Sequence, residues 1–122
     1  MSHMENIIVI GASPDPARYS NKAVRSLLKR GYNVIPIGRK NGIIENLSIC
    51  TDKPEIENVH TILMYISPVN QPEYYDYIIK LKPARIVFNP GTENYEFSLL
   101  ASKNHIECIF DCALVMLNTR KF

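Results

Sequence analysis

The sequence predicts an α/β protein, a three-layer α/β/α sandwich around a five-stranded parallel sheet. Short, continuous apolar runs alternate along the chain with segments of helical spacing. This alternation is typical of parallel strands joined by helices that cover both faces of a sheet. The length of 122 residues suits one domain over 1–122, because no repeat or long linker divides the chain.

Five strands are predicted, over residues 6–10, 33–37, 61–66, 85–88 and 106–110. The first is apolar at every position from Ile7 to Ile10, as expected for a strand covered on both faces. Numbered along the chain, the strands are expected in the order 3-2-1-4-5. Residues 43–58 have no clear pattern.

The first predicted helix follows a loop with two prolines. We expect Ser20 to be its N-cap, with Tyr19 and Val24 packed around it as a hydrophobic staple. Gly31 is expected to end this helix.

Two further helices are predicted over residues 72–81 and 94–103. In the first, Tyr74, Ile78 and Leu81 share one face. In the second, we expect Leu99 and Leu100 to face inward.

Composition and charge narrow the function classes. Hydrophobic residues make up 46% and charged residues 21%, as in ordinary globular proteins. The net charge is +2 and the basic residues are scattered, so nucleic acid is not an expected partner. Every apolar run is far shorter than the roughly 20 residues of a membrane-spanning helix. We therefore expect a cytoplasmic protein that does not bind a membrane.

The N-terminus resembles the remnant of an expression tag in Ser2-His3-Met4. Met4 is then the expected native start, and residues 1–3 are left out of functional reasoning.

No catalytic residue and no metal site are expected. His60 and His105 are far apart and have no motif around them. Cys108 and Cys112 are separated by three residues, with no second pair, which disfavours zinc and thioredoxin-type chemistry. The odd count of three cysteines argues against a disulfide framework.

Ligands of such sheets bind beyond the carboxyl ends of the strands at the switch point, expected in this chain at the loops after strands one and four. The first loop reads Gly11-Ala12-Ser13-Pro14. Its small residues let backbone N–H groups approach an anion beside a helix N-terminus, so the loop fits a phosphate. A tight turn that binds nothing is the alternative.

The loop after the second strand reads Gly38-Arg39-Lys40. A dinucleotide-binding fingerprint would have three glycines in the first loop and an acidic residue near this position. Neither is present, so a phosphate on the ribose fits better than NAD. The alternative is a basic loop that only faces solvent.

Six segments are shared with a known family: Val9-Ile10-Gly11-Ala12-Ser13, Tyr19-Ser20-Asn21-Lys22-Ala23, Gly31-Tyr32-Asn33-Val34-Ile35-Pro36, Tyr65-Ile66-Ser67-Pro68, Asn89-Pro90-Gly91 followed by Glu93, and Asp111-Cys112-Ala113-Leu114. Over nearly its whole length the chain resembles the small stand-alone CoA-binding domain family. The Rossmann-like fold of that family is also found in the first domain of the succinyl-CoA synthetase alpha subunit.

The resemblance implies a set of CoA-binding residues. It implies that Gly11, Ala12 and Ser13 hold the CoA pyrophosphate, that Ser20, Asn21 and Lys22 lie beside it, that Gly38, Arg39 and Lys40 meet the 3′-phosphorylated ADP, that Ile66, Ser67 and Pro68 line the adenine or pantetheine path, and that Asn89, Pro90, Gly91 and Glu93 belong to the same site. Cys112 lies in a matching motif, but a buried structural thiol is the favoured interpretation.

The sequence therefore predicts a protein that binds CoA or acyl-CoA without catalysis of its own, and it indicates no particular protein partner. One alternative is a small NAD(P)-dependent oxidoreductase, which the missing glycines and acidic residue disfavour. The other is a regulatory or assembly module that has kept the fold and lost the ligand.

Overall fold

A computed structural model describes residues 5–122, so the tag assignment of Ser2-His3-Met4 lies outside the described residues. Five parallel strands form one sheet with helices on both faces. The predicted α/β class and Rossmann-like three-layer architecture are confirmed.

Helices separate most strands of the described chain, but none lies between the second strand and the fifth. The strands are β1 (Asn6–Ile10), β2 (Asn33–Ile37), β3 (Ile43–Ile44), β4 (Leu47–Ser48), β5 (Val59–Met64), β6 (Arg85–Phe88) and β7 (Glu107–Phe110). The α-helices are α1 (Tyr19–Lys29), α2 (Tyr75–Leu81), α3 (Tyr95–Lys103) and α4 (Ala113–Asn118), and two 3-10 turns, Pro68–Asn70 and Pro72–Tyr74, precede α2.

The predicted strand order is wrong. The sheet runs β2-β1-β5-β6-β7, which is 2-1-3-4-5 in the numbering of the prediction rather than 3-2-1-4-5. Pro36 in β2 explains the difference. On the side of β2 that faces away from β1, the Pro36 carbonyl accepts the Cys50 N–H (2.9 Å). The proline has no N–H to donate to a further strand on that side. Strand β2 is therefore an edge strand, and β5 pairs with the free side of β1. This moves the switch point to the gap between β1 and β5.

Two apolar layers sandwich the sheet. Ile7 and Val9 of β1 pack in the cluster that contains the buried faces of α1 and α4. Ile8 and Ile10 point the other way, into the cluster formed with α2 and α3. The alternation of side chains along a strand explains why β1 is apolar throughout.

Helix α1 begins before its predicted cap. The Lys22 N–H bonds to the Arg18 carbonyl (3.1 Å), so Ser20 lies inside the first turn and is not the N-cap. Tyr19 is 68% exposed, so no hydrophobic staple forms. The stop at Gly31 is confirmed, with φ +84° and its N–H on the Leu28 carbonyl.

The inward face predicted for α3 is also wrong. The Asn94 side chain caps this helix by accepting the Phe97 N–H (2.9 Å), which sets the helix start. Phe97 and Ala101 consequently face the sheet, whereas Leu99 and Leu100 are exposed.

The β3–β4 hairpin and α4 were not predicted. The hairpin occupies part of the unpatterned stretch 43–58. Helix α4 packs against α1 and completes one layer. Within residues 5–122, no helix has the length and apolar character needed to cross a membrane.

Candidate functional site

A groove of about 580 Å³ lies at the carboxyl ends of β1, β2, β5 and β6. Its volume falls in the range of small-molecule sites, and it spans the switch point between β1 and β5. It is lined by Gly11, Ala12, Ser13, Pro14, Ala17, Arg18, Tyr19, Ser20, Arg39, Lys40, Tyr65, Ile66, Pro90 and Thr92.

Half of the sixteen candidate residues line this groove. They are Gly11, Ala12, Ser13, Ser20, Arg39, Lys40, Ile66 and Pro90. The other eight lie outside its lining: Asn21, Lys22, Gly38, Ser67, Pro68, Asn89, Gly91 and Glu93.

Two glycines allow the loops that form the groove floor to approach one another. Gly11 has φ +96°, and a Cβ there would lie 2.9 Å from the Ile66 Cγ2 and from the Tyr65 carbonyl carbon. At Gly38 a Cβ would overlap the Ala12 carbonyl oxygen. Larger residues at either position would separate the loops.

The first loop uses two of its backbone donors within the fold. The N–H groups of Gly11 and Ala12 both donate to the Ile37 carbonyl at the end of β2, at 2.9 Å each. They are not available to a phosphate in this arrangement. The resemblance implies that this loop holds the pyrophosphate. Because two of its N–H groups are already used, further donors for a phosphate have to come from neighbouring residues.

The N-terminus of α1 supplies such donors. Arg18, Tyr19 and Ser20 line the groove at this helix end, and no side chain of the described chain caps the helix. The first N–H groups of a helix have no intrahelical partner and carry the positive end of its dipole. This end of α1 suits a phosphate group.

The charges of the groove are positive. Arg18, Arg39 and Lys40 contribute to the lining, and no Asp or Glu of the described chain does so. The Arg39 Nη2 lies 3.2 Å from the Glu73 Oε1, and the Lys53 Nζ lies 3.7 Å from the other carboxylate oxygen. Exposed ion pairs of this kind contribute only ~0–1 kcal/mol, so a ligand phosphate can replace Glu73 on Arg39.

A buried glutamine fixes the opposite wall. The Nε2 of Gln71 donates to the Ile66 carbonyl (3.0 Å) and to the Thr92 carbonyl (2.8 Å). Its Oε1 accepts a hydrogen bond from the Asn94 Nδ2 (3.0 Å). Gln71 is completely buried, and it ties the loop after β5 to the loop after β6.

Two asparagines that were predicted to belong to the site lie outside the groove and stabilise its loops. Asn21 donates to the Ser13 carbonyl (2.9 Å). Asn89 donates to the Met64 carbonyl (3.0 Å) and accepts the Ala113 N–H (2.8 Å). Their side chains are buried and satisfied by the protein itself.

The remaining candidates outside the groove also have partners in the protein. The Lys22 ammonium lies over the Tyr19 ring, 5.2 Å from its centroid. Ser67 accepts from the Asn70 side chain, and the Glu93 carboxylate accepts the Gly91 N–H (2.8 Å).

Reactive side chains lie elsewhere. Within residues 5–122, no His, Cys, Asp or Glu lines the groove, and no three of them are placed to hold a metal ion. Cys112 is half-buried at the start of α4. Burial, and to a lesser extent the nearby Cys112, raise the pKa of Tyr65 well above its usual range. Burial likewise raises the pKa of Cys108, which disfavours its reactive thiolate.

Six lining residues were not among the candidates: Pro14, Ala17, Arg18, Tyr19, Tyr65 and Thr92. Of these, only Arg18 could have been identified from the sequence, because it is basic and lies two residues before the predicted N-cap, Ser20.

A model of the CoA binding domain family matches residues 5–118. The chain belongs to the CoA binding domain family. Family membership supports CoA as the ligand.

This CoA binding domain is similar to several solved structures. One, from an uncharacterized protein, is 43% identical with a TM-score of 0.94, and the match covers 98% of each chain. A conserved hypothetical protein from Pyrococcus furiosus is 25% identical with a TM-score of 0.76 over 87% of this chain and 92% of that one. No curated protein sequence matches the chain.

A larger enzyme contains a similar fold. It is a dinucleotide-forming acetyl-coenzyme A synthetase of Ca. Korarchaeum cryptofilum, solved in complex with phosphate and ADP. It is 19% identical with a TM-score of 0.72, and the match covers 88% of this chain but 25% of that one. At this identity the likeness concerns the fold alone.

Proposed function

We propose that the protein binds CoA or an acyl-CoA in the groove at the switch point and catalyses no reaction on its own. The observation that carries this proposal is the uncapped N-terminus of α1 in a groove lined by three cations and, among the described residues, no acid. A ligand with several phosphates matches this arrangement, and the family membership favours CoA among such ligands.

Each part of the ligand has a place in the proposal. The pyrophosphate lies against the first turn of α1 beside Ser13 and Arg18. The 3′-phosphate on the ribose meets Arg39 and Lys40. The adenine or pantetheine part runs along Ile66 and the wall that Gln71 holds.

A binding role without catalysis is supported by the chemistry of the lining. Nucleophilic and acid–base catalysis need a nucleophile with an adjacent base, or a pair of titratable groups, within reach of the ligand. The described lining offers serines, a threonine and tyrosines but no histidine or carboxylate to activate them.

Equilibrium dialysis against CoA, NAD and ATP tests the proposal. CoA should bind more tightly than NAD, and Ala17→Glu should weaken CoA binding at least about tenfold, because it adds a negative charge beside the phosphate site. Ala17 is exposed, so this variant should fold normally. A glutamate at Ala12 would be a poorer test, because Ala12 is buried and the substitution could disturb the fold. Ala84→Glu is the matched control, because Ala84 is exposed and lies just before β6, at the amino ends of the strands and opposite the groove.

The possible outcomes separate the three functions. Tighter binding of NAD than of CoA would favour the oxidoreductase. A folded wild-type protein that binds none of the three nucleotides would favour the assembly module that has lost its ligand.

A further inference from the structure

An exposed apolar surface lies on α3 and at the end of β7. Tyr95 is 80%, Leu99 65% and Phe110 46% exposed, and we call these three residues the α3–β7 patch. The rings of Tyr95 and Phe110 are 6.1 Å apart, so the surface is continuous. Phe110 also stacks on the buried Phe88 at 5.2 Å, which holds it in place.

The charges of α3 are arranged around Leu99. Glu96, Leu99 and Lys103 follow the spacing i, i+3, i+7 and therefore share the outer face of the helix. Among the described residues, neither Glu96 nor Lys103 has a salt bridge. The Glu96 carboxylate accepts a hydrogen bond from the Tyr75 hydroxyl (3.0 Å), which restricts its position.

This outer face is complementary to itself. If a second α3 packs antiparallel about a two-fold axis beside Leu99, Glu96 of each copy meets Lys103 of the other, and the two leucines meet near the axis. A two-fold interface requires such a pattern, in which residue i contacts residue j and j contacts i. A helix face with charges of one sign only would repel its own copy in this arrangement.

The sheet edge beside the patch is also open. β7 pairs with β6 on one side and with no other strand of the described chain. Exposed edges and large apolar rings on a monomer are places where a partner chain docks.

We propose that a second copy of this chain docks on the α3–β7 patch and forms a two-fold symmetric dimer. The apolar contact supplies most of the affinity, and the two Glu96–Lys103 pairs set the antiparallel orientation. None of these residues lines the groove, so the proposed dimer contact and the proposed CoA binding use different residues.

Sedimentation of the full chain over a range of concentrations tests the proposal. The wild type should approach twice the 13.9 kDa of one chain as concentration rises. Leu99→Asp should raise the dissociation constant at least about tenfold, because it places a charge at the centre of the contact.

Charge reversal provides a sharper test. Glu96→Lys alone brings lysines together at both pairs, and Lys103→Glu alone brings glutamates together, so each single variant should be mainly monomeric. An equimolar mixture of the two variants restores an attractive pairing in a mixed dimer and should recover the dimeric mass. Lys29→Glu on α1, which is exposed on the other layer, is the control and should dimerise as the wild type does.

Three outcomes would overturn the proposal. They are a wild type that stays monomeric at every concentration, a dimer that withstands Leu99→Asp, and a mixture of the two charge variants that stays monomeric. Circular dichroism of each variant confirms that the fold is intact.

Discussion

Two anions compete for Arg39 in the proposed complex, the Glu73 carboxylate and a ligand phosphate. A charge-assisted hydrogen bond contributes about 1.5–3 kcal/mol when well formed, and solvent exposure reduces this. We expect CoA to bind about three- to tenfold more tightly than dephospho-CoA, which lacks the 3′-phosphate. The preference should decrease with added salt and disappear in Arg39→Ala/Lys40→Ala. Titration calorimetry with both ligands measures it.

Variants elsewhere make this test specific. Glu73→Gln should tighten CoA binding a few-fold, because it frees Arg39 from its ion pair. Removing two exposed cations away from the groove, Lys29→Ala/Lys80→Ala, should leave the preference unchanged. Equal affinities of the wild type for CoA and dephospho-CoA would mean that Arg39 and Lys40 do not contact the phosphate.

Some residues of the groove could be predicted from the sequence, and others could not. Small and basic residues at the ends of apolar strands indicated Ser13, Arg39 and Lys40 as groove residues. The use of the Gly11 and Ala12 N–H groups by Ile37 could not be foreseen, since it depends on the pairing of β1 with β2. Asn21 and Asn89 match the family motif, yet their side chains hold loops together.

At the scale of elements, the loops after β5 and β6 depend on one buried side chain. Gln71→Leu should destabilise the protein by about 2–4 kcal/mol, because it leaves the Ile66 and Thr92 carbonyls without their partner and removes one of the two hydrogen bonds that the Asn94 amide donates. Urea unfolding measures the loss. CoA affinity should fall as well, since two of these residues line the groove.

The neighbouring Asn70 provides the control. Its side chain makes one exposed hydrogen bond, to Ser67, so Asn70→Ala should change the stability by no more than about 0.5 kcal/mol. An unchanged urea midpoint for Gln71→Leu would show that Gln71 does not hold the wall.

The elements themselves were predictable where their pattern was long and apolar. All five strands of the main sheet were found, because continuous apolar runs identify strands covered on both faces. Their order was not, although Pro36 carried the signal that β2 is an edge strand. The two-residue strands β3 and β4 are too short to show a period, and the face of α3 depended on its cap at Asn94.

At the scale of the whole molecule, buried tyrosines contribute to the loss of stability in alkali. Burial raises the pKa of Tyr77 to about 12, and it also raises the pKa values of Tyr65, Tyr74 and Tyr75. Unfolded tyrosines titrate near their ordinary pKa of 10.0, so above that pH the unfolded chain releases protons first. The stabilisation is complete below about pH 10 and should be lost as the pH rises through about 12.

Urea unfolding at pH 8, 10 and 11, with ultraviolet detection of tyrosinate, measures this dependence. Tyr77→Phe should reduce the slope above pH 10, because one of the shifted groups is gone. Tyr19→Phe, at an exposed ring, should not alter it. A free energy of unfolding that stays constant from pH 8 to 11 would contradict the expectation.

The double hydrogen bond on the Ile37 carbonyl has a consequence for the entropy of binding. Because Gly11 and Ala12 are joined to β2 through it, the floor of the groove is ordered before any ligand arrives. Ordering a flexible loop on binding would cost about 1–2 kcal/mol for each backbone residue fixed. In this protein that cost is met during folding, so the affinity for the ligand need not be reduced by it.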